Sequence, residues 1–332
     1  MKAVKVVKKE AEKIKKKLIQ LGLLDSGYFV GKDKGYLYFP LKKVSDKIKN
    51  LNIVNKVFKP TKDKYFEDFL KKNFTKKELE LIPKSLDIIG DIIILDIPDE
   101  LKKKEKKVAE YFLKSMKSIN VVTKKVGIHH GEFRTQDLKV LAGEKRKETM
   151  CKENNVRLKL NVETSYFSPR LSTERQRIYE LVQPNEKVLV MFSGVAPYPV
   201  VISKNTEVSK IIGIELNLEA HKYGLENVKL NKVDNVELIN GDVNKVVPKL
   251  KEKFDRIIMP LPKSAEDFLK SALKVSKKGT VIHFYAFADE KDIPNAVIKK
   301  IKKYAPKAKI LRTVKCGQYS PRKYRICVDF KV

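Results

Sequence analysis

Residues 187–199, Lys187-Val-Leu-Val-Met-Phe-Ser-Gly-Val-Ala-Pro-Tyr-Pro199, read as an apolar strand that runs into a turn and the start of a helix. An unbroken apolar run marks a strand covered on both faces. Gly194, Pro197 and Pro199 mark where it ends. Three more runs follow: IIGI before Glu215-Leu-Asn217, VELIN before Gly241-Asp242, and DRIIM before Pro260-Leu-Pro262-Lys263. Helical patterns over 217–231, 243–252 and 263–275 follow the second, third and fourth strands, and GTVIHFYAF with a helix over 292–304 makes a fifth alternation. This alternation specifies an open, doubly wound α/β sheet. The chain closes on KILRTVKC, a turn at GQYSPRK, and YRICVDFKV, a hairpin expected to put an antiparallel strand into that sheet.

Ligands of open α/β sheets sit at the carboxyl ends of the strands, beside the point where the strand order reverses. Each of the four runs ends in residues suited to a nucleoside-type cofactor. The first loop holds one glycine, Gly194, and not the GxGxxG that a dinucleotide pyrophosphate requires. S-adenosylmethionine has no phosphate, so one close backbone approach suffices. The expected cofactor residues are therefore Phe192, Gly194, Val195 and Pro197 in the first loop, Glu215 and Asn217 at the second strand end, Asp242 at the third and Pro260 at the fourth. Glu215 lies 21 residues past Gly194 and has the type and spacing for a ribose diol; it also suits a helix N-terminus. Gly241-Asp242 is equally ordinary turn chemistry.

The 332 residues carry 72 Lys and Arg against 41 Asp and Glu, a net charge of +31, which favours a polyanionic partner, nucleic acid before membrane. Only ten of the basic residues are Arg, and six fall between Arg134 and Arg177. Arg kept where Lys is the default suggests planar, two-pronged contacts there. Cys151, Cys316 and Cys327 lack metal-ligand spacing, and no metal is expected. No apolar stretch reaches the roughly 20 residues of a membrane span, and a cytoplasmic protein is expected.

Upstream, the composition divides the chain at about residues 60 and 164. A helix over 4–22, a strand pair in YFVGKDKGYLYFPL and the run NIVNKVF form a small α+β module over 1–60. It reads equally as an RNA-contacting appendage or as a packing module. Residues 61–164 form a second α+β module, with helices near 64–72, 75–82 and 98–117, a bend at Gly90-Asp91, and strands at NVVTKK and NVRLKLNV. Residues 165–332 are the α/β domain, entered through a helix over 172–182. Arg170, Glu174 and Arg177 stand at i, i+4, i+7, a spacing that puts them on one helix face.

The motifs GEFR (131–134), LAGE (141–144), KEN (152–154), YFSPR (166–170), ER (174–175), MFSGVAPYP (191–199), IELN (214–217) and MPLPK (259–263), in this order, resemble the archaeal and eukaryotic tRNA guanine-37 N1-methyltransferase family. The likeness implies a class I, Rossmann-like S-adenosylmethionine methyltransferase domain behind two smaller α+β modules, acting as a monomer on tRNA with guanosine at position 37. It implies Glu174 as the base that takes the N1 proton and Arg134 as the cation that stabilises charge on guanine O6. Arg146, Tyr166, Arg170, Arg175, Pro262 and Lys263 are the implied substrate-side residues, with Arg170 and Arg175 suited to phosphate or to organising the site. The chain departs from the family at Pro260, where an Asn is usual. Proline offers the base no side-chain hydrogen bond. Its Pro-x-Pro-Lys form resembles an archaeal branch, some members of which also methylate carbon 7 of a tricyclic wyosine intermediate. Added or replacing carbon methylation is thus an alternative to N1 methylation. Aminocarboxypropyl transfer on the same fold, and a non-catalytic basic RNA-binding protein, are the others.

Overall fold

The computed structural model describes the backbone of residues 1–130 and 135–332, and the side chains of these except 62 and 128–130. They pack as two units, residues 1–84 with 97–117 and residues 85–96 with 118–332.

In the first unit β1 (Lys2–Val7), α1 (Ala11–Gln20), β2 (Gly31–Asp33), β3 (Tyr36–Pro40) and β4 (Ile53–Asn55) form an antiparallel sheet, ordered β2-β3-β1-β4, with one helix. The helix expected over 4–22 thus begins later, because residues 2–7 are a strand. Lys-Ala-Val-Lys-Val-Val is rich in β-branched valine, and partners on both sides take up its backbone groups. Val4, Val6 and Phe39 pack with Leu18 and Ile48 into a small core. The unit is completed by α2 (Lys62–Asn73), α3 (Lys76–Leu81) and α4 (Glu105–Ser115), with Thr61 capping α2 and a Thr75–Glu78 capping box on α3.

The second unit opens with β5 (Asp87–Ile89) and β6 (Ile92–Leu95), joined by the expected bend at Gly90. There φ is +57°, and a Cβ would collide with Thr149 and the Met150 carbonyl. β6 runs parallel to β7 (Val121–His130), which pairs with β8 (Thr135–Gly143); β9 (Glu148–Glu153) and β10 (Val156–Asn161) form a separate hairpin. β8 and β9 escape the sequence reading because their inward positions include polar Gln136 and Thr149, which hides the alternation.

After α5 (Ser172–Leu181) come β11 (Lys187–Met191), α6 (Pro197–Asn205), β12 (Lys210–Glu215), α7 (Leu218–Asn231), β13 (Val236–Asn240), α8 (Val243–Val246), β14 (Phe254–Met259), α9 (Leu269–Lys274), β15 (Ser276–Asp289), α10 (Asn295–Tyr304), β16 (Lys309–Ser320) and β17 (Lys323–Lys331). The strands order as β13-β12-β11-β14-β15-β17-β16, the first five parallel and β17 antiparallel between β15 and β16, as the terminal hairpin required. The order reverses between β11 and β14, which fixes the ligand edge at their carboxyl ends.

The strands of 85–96 and 118–164 belong to this unit because they share its core. Ile92, Val121 and Leu158 pack with Val195, Val200 and Ala220. Asn231 and Asn227 of α7 accept from Arg157 N (2.8 Å) and Lys159 N (2.7 Å), so helix side chains cover the free edge of β10.

Gly143 and Gly127 separate two costs of adding a side chain. Both have positive φ, +87° and +76°, but a Cβ on Gly143 would strike the Asn120 carbonyl, whereas one on Gly127 meets nothing within 4 Å. Gly143→Ala is expected to destabilise this unit by about 2–4 kcal/mol and Gly127→Ala by about 1–2 kcal/mol. Urea unfolding of the two variants checks the order; equal losses would contradict it.

Candidate functional site

The loop after β11 is bent sharply, with Phe192, Gly194 and Ala196 all at positive φ (60°, 58° and 61°). Two of these are not glycine, so neighbours must hold the shape. Ser193 N donates to the Ile214 carbonyl at 2.8 Å and Ala196 N to the Ser193 carbonyl at 2.9 Å. Gly194 N donates to Glu215 Oε2 at 2.6 Å. Asn217 N donates to the other oxygen, Glu215 Oε1, at 2.8 Å. One carboxylate therefore ties the first loop to the second strand end. Burial pushes its pKa up, and the amides of Asn217, Gly194 and Leu216 work against that. A carboxylate held there has lone pairs to accept two hydroxyls. A Cβ on Gly194 would find only the Tyr166 carbonyl, at 3.8 Å, so the glycine leaves room above the loop. Asp242 caps α8 through Oδ1, which accepts from Asn244 N at 2.8 Å and leaves the second oxygen outside that cap. Phe192 lies edge-on to Phe268 at 4.8 Å, and half-buried Pro260 directly follows β14. Pro197 opens α6 at its first turn.

Beside this edge lies a cavity of about 500 Å³. Its walls come from three places: β5–β8 (Asp87, Lys125, Thr135), the link from Ser165 to Arg170, and the terminal hairpin (Cys316 to Tyr319, and Arg325). Tyr166 joins it to the cofactor edge, since its carbonyl overlies Gly194 and its side chain lines the cavity. The Tyr166 hydroxyl accepts from Arg325 Nη2 at 3.2 Å. Arg170 is exposed and donates to Asp87 Oδ1 at 2.5 Å. Arg134, one residue before Thr135, lies outside the described residues.

The comparisons with known proteins match these parts in order. The TRM5/TYW2 methyltransferase domain model covers residues 149–312, a TYW2 N-terminal domain model covers 66–146, and a tRNA methyltransferase 5 N-terminal domain model covers 3–50. The chain is 37% identical, over 99% of its length and 98% of the relative's, to the tRNA (guanine(37)-N(1))-methyltransferase Trm5b of Pyrococcus abyssi. It belongs to the TRM5/TYW2 methyltransferase family. It is also 39% identical, over 74% of its length and 98% of the relative's, to the tRNA (guanine(37)-N(1))/4-demethylwyosine(37)-methyltransferase Taw22 of Nanoarchaeum equitans. A solved structure described as the complex of aTrm5 and tRNALeu superposes with a TM-score of 0.83 at 34% identity, covering 99% of each chain.

Several expected residues of this TRM5/TYW2 chain sit elsewhere than the sequence implied. Arg175 is only 2% exposed; it forks onto Glu153, donates to the Ser168 carbonyl at 3.1 Å and lies over Phe167. It has no surface for phosphate, its guanidinium being taken up by Glu153 and the Ser168 carbonyl. Arg146 does not reach the cavity either: it forks onto Asp91, donates to Glu144 and to the Glu148 carbonyl, and so fixes the Gly90-Asp91 bend. Val195 is fully buried, and its carbonyl accepts from Asn227 Nδ2 at 3.0 Å, so it packs beneath the loop. The Asn217 side chain caps α7 and donates to the Thr164 carbonyl at 2.9 Å, leaving its backbone amide as the group that meets Glu215. Pro262 is buried, its carbonyl accepting from Phe287 N at 3.2 Å, and Lys263 is exposed; neither lines the cavity.

The expected face of Arg170, Glu174 and Arg177 splits. Arg170 falls in the 3-10 turn before α5, and Glu174 pairs with Arg177 alone. Glu174 is 6% exposed and does not line the cavity. Arg177 donates to its two oxygens at 2.8 and 2.7 Å, and Tyr285 Oη donates at 2.5 Å. Arg177 Nη1 goes on to Asp329 Oδ2 at 2.6 Å, and Asp329 Oδ1 accepts from His283 Nδ1 at 2.6 Å. His283 Nε2 accepts from Arg256 Nη1 at 2.8 Å, and Arg256 forks onto Glu186 at 2.7 and 2.9 Å. None of Tyr285, Asp329, His283 or Arg256 was singled out from the sequence. Their signal was a polar residue inside an apolar strand run, as in IHFY and CVDF. His283, Cys327 and Asp329 lie within reach of one metal ion, but guanidinium groups of Arg177 and Arg256 touch all three and take the place of the cation.

Burial, with the neighbouring guanidiniums, pushes the His283 pKa below its ordinary 6.5, outweighing Asp329. Burial opposes the Asp329 charge, yet His283 and Arg177 hold its pKa below the ordinary 3.8. Both groups bind fewer protons folded than unfolded. The stability these two groups contribute is therefore full above about pH 6.5, falls below it as the unfolded His283 protonates, and falls again below about pH 3.8 through Asp329. Melting temperatures from pH 8 to 5 are expected to drop from near pH 6.5, and His283→Gln is expected to flatten that first step. A profile unchanged by the substitution would contradict the assignment.

Proposed function

We propose that this chain methylates N1 of guanosine 37 in tRNA, with S-adenosylmethionine as donor. The observation that carries the proposal is one carboxylate, Glu215, bridging the Gly194 loop and the second strand end, with the Tyr166-lined cavity alongside. The cofactor fits the residues present: Glu215 for its ribose hydroxyls, the open Gly194 backbone, and the second oxygen of Asp242. When bound, it supplies an electrophilic methyl group.

The rest falls to the chain's own residues. Guanine N1 carries a proton and is a poor nucleophile until that proton leaves. In our reading Glu174 takes it, which requires the carboxylate to leave Arg177 and Tyr285 as tRNA binds, and Arg134 stabilises the charge on O6. Tyr166 lines the path of the base, which must unstack to enter. Residues 1–60, 61–164 and 165–332 are our proposed functional modules, the first two for holding tRNA, and we propose a cytoplasmic monomer. No helix among the described residues is long and apolar enough to cross a membrane.

A second reading, carbon-7 methylation of the tricyclic intermediate, is favoured by Pro260, which leaves the strand end without a polar side chain for the Watson–Crick edge.

Unmodified tRNA with guanosine 37 is expected to yield 1-methylguanosine, and tRNA carrying the tricyclic base tests the second reading in the same assay. Glu215→Ala is expected to weaken cofactor binding at least tenfold by calorimetry while tRNA affinity holds. Glu174→Gln is expected to slow single turnovers about 100-fold or more with tRNA affinity within about twofold. Normal turnover by that variant would remove Glu174 from the role. Failure of the wild type on both tRNAs would overturn the function.

A further inference from the structure

Buried polar atoms without a partner are rare, and each costs stability unless something completes it. Among the described residues two such side-chain atoms stand out, Ser165 Oγ and Arg325 Nε, and both residues line the same cavity. The arginine is the more informative. Three other arginines of this chain, Arg175, Arg177 and Arg256, present the side-on fork of Nε and Nη2 to a carboxylate: Glu153, Glu174 and Glu186. Arg325 has the same fork with one prong on the Tyr166 hydroxyl at 3.2 Å and the other on nothing. No carboxylate among the described residues meets it. Its guanidinium lies 5.8 Å over Phe287, which stacks on half-exposed Tyr319 at 4.1 Å.

A fork of this kind matches a planar pair of acceptors. On guanine that pair is O6 and N7, the commonest arginine contact to a base. Phosphate offers a similar pair of oxygens. The surroundings favour the base: Phe287 lies under the guanidinium and Tyr166 and Tyr319 line the same cavity, and single-stranded bases are held on such rings. A cavity of about 500 Å³ is also of ligand size, well above the size of a single water.

We propose that Arg325, on the terminal hairpin, reads the O6/N7 edge of the target base, trading its bond to Tyr166 for that edge, with the Ser165 hydroxyl turning to a further acceptor. The inference rests on the function proposed above and deepens it. It assigns specificity to an edge that both substrates share. The tricyclic base adds its third ring across N1 and the exocyclic amine, and leaves O6 and N7 as they are. A pocket that holds the base by this edge accepts either one and leaves the modified edge toward the methyl donor.

The test uses the full chain with tRNA transcripts carrying guanosine or 7-deazaguanosine at position 37. Arg325→Lys keeps the charge and loses the fork. It is expected to lower single-turnover kcat/KM on guanosine tRNA by about 10- to 100-fold, with cofactor affinity unchanged. On 7-deazaguanosine tRNA the wild type itself loses most of that factor, and Arg325→Lys costs less than about threefold more. Equal penalties on both tRNAs mean a phosphate or packing role and overturn the inference, as does no penalty on either. Should Arg325→Lys fail to fold, wild type using both tRNAs equally would overturn it, and Ser165→Ala repeats the comparison. A wild type that forms 1-methylguanosine without this coupling sinks only the inference. A wild type that methylates neither guanosine 37 nor the tricyclic base sinks the function beneath it.

Discussion

The second unit depends on a buried line of charge, Glu174–Arg177–Asp329–His283–Arg256–Glu186, that runs from α5 through β17, β15 and β14. Each member has its hydrogen-bonding capacity taken up by the next. Taking such groups out of water costs several kcal/mol per ion, and their mutual attraction returns that only when the geometry is nearly complete. The net stabilisation is therefore small, while the loss of one member, which strands the others, costs about 3–5 kcal/mol. What the line secures is position. α5 carries Glu174 and Arg175, and its N-terminal turn carries Arg170; the helix can sit against the sheet in one register only, because sliding it by one residue breaks Glu174 and Arg177 from Tyr285 and Asp329 together.

That constraint also explains the arginines. Six of ten lie between residues 134 and 177, a distribution that suggests two-pronged recognition. The partners met in the structure are carboxylates of the chain itself. Arg146, Arg175 and Arg177 fork onto Asp91, Glu153 and Glu174 of their own chain. Guanidinium is used here to hold motif segments in place, since it is less strongly hydrated than ammonium and easier to bury. The many lysines stay outside and supply the long-range field for RNA.

The strand ends were legible in the sequence because their signals are local: an apolar run, a turn residue, a spacing of 21 residues from Gly194 to Glu215. Structure then joined the two through a 2.6 Å hydrogen bond. The terminal antiparallel hairpin was legible for the same reason. Less legible were the features that depend on partners far along the chain. Residues 2–7 look helical beside the lysine-rich pattern that follows, and only β3 and β4 make them a strand. Arg170 shares spacing with Glu174, yet a 3-10 turn rotates it away to Asp87. His283 and Asp329 stand 46 residues apart, so no window of sequence pairs them.

A methyltransferase for one base needs two kinds of recognition that must not interfere, one for the donor and one for the acceptor. In the function we propose they are divided between different elements of the second unit. Donor recognition sits on the parallel part of the sheet, where loop and carboxylate are fixed by strand order. The acceptor cavity is walled by the β5–β8 strands, the link through Tyr166 and the hairpin that closes the sheet. Tyr166 is the contact between the two, its backbone over the donor loop and its ring in the cavity. The hairpin makes none of the contacts described for Gly194 or Glu215, whereas the link, through Tyr166, lies against the donor loop. A fold arranged this way can keep one cofactor chemistry while the accepted base varies, and the fourth strand end, where Pro260 stands, lies between the two tasks.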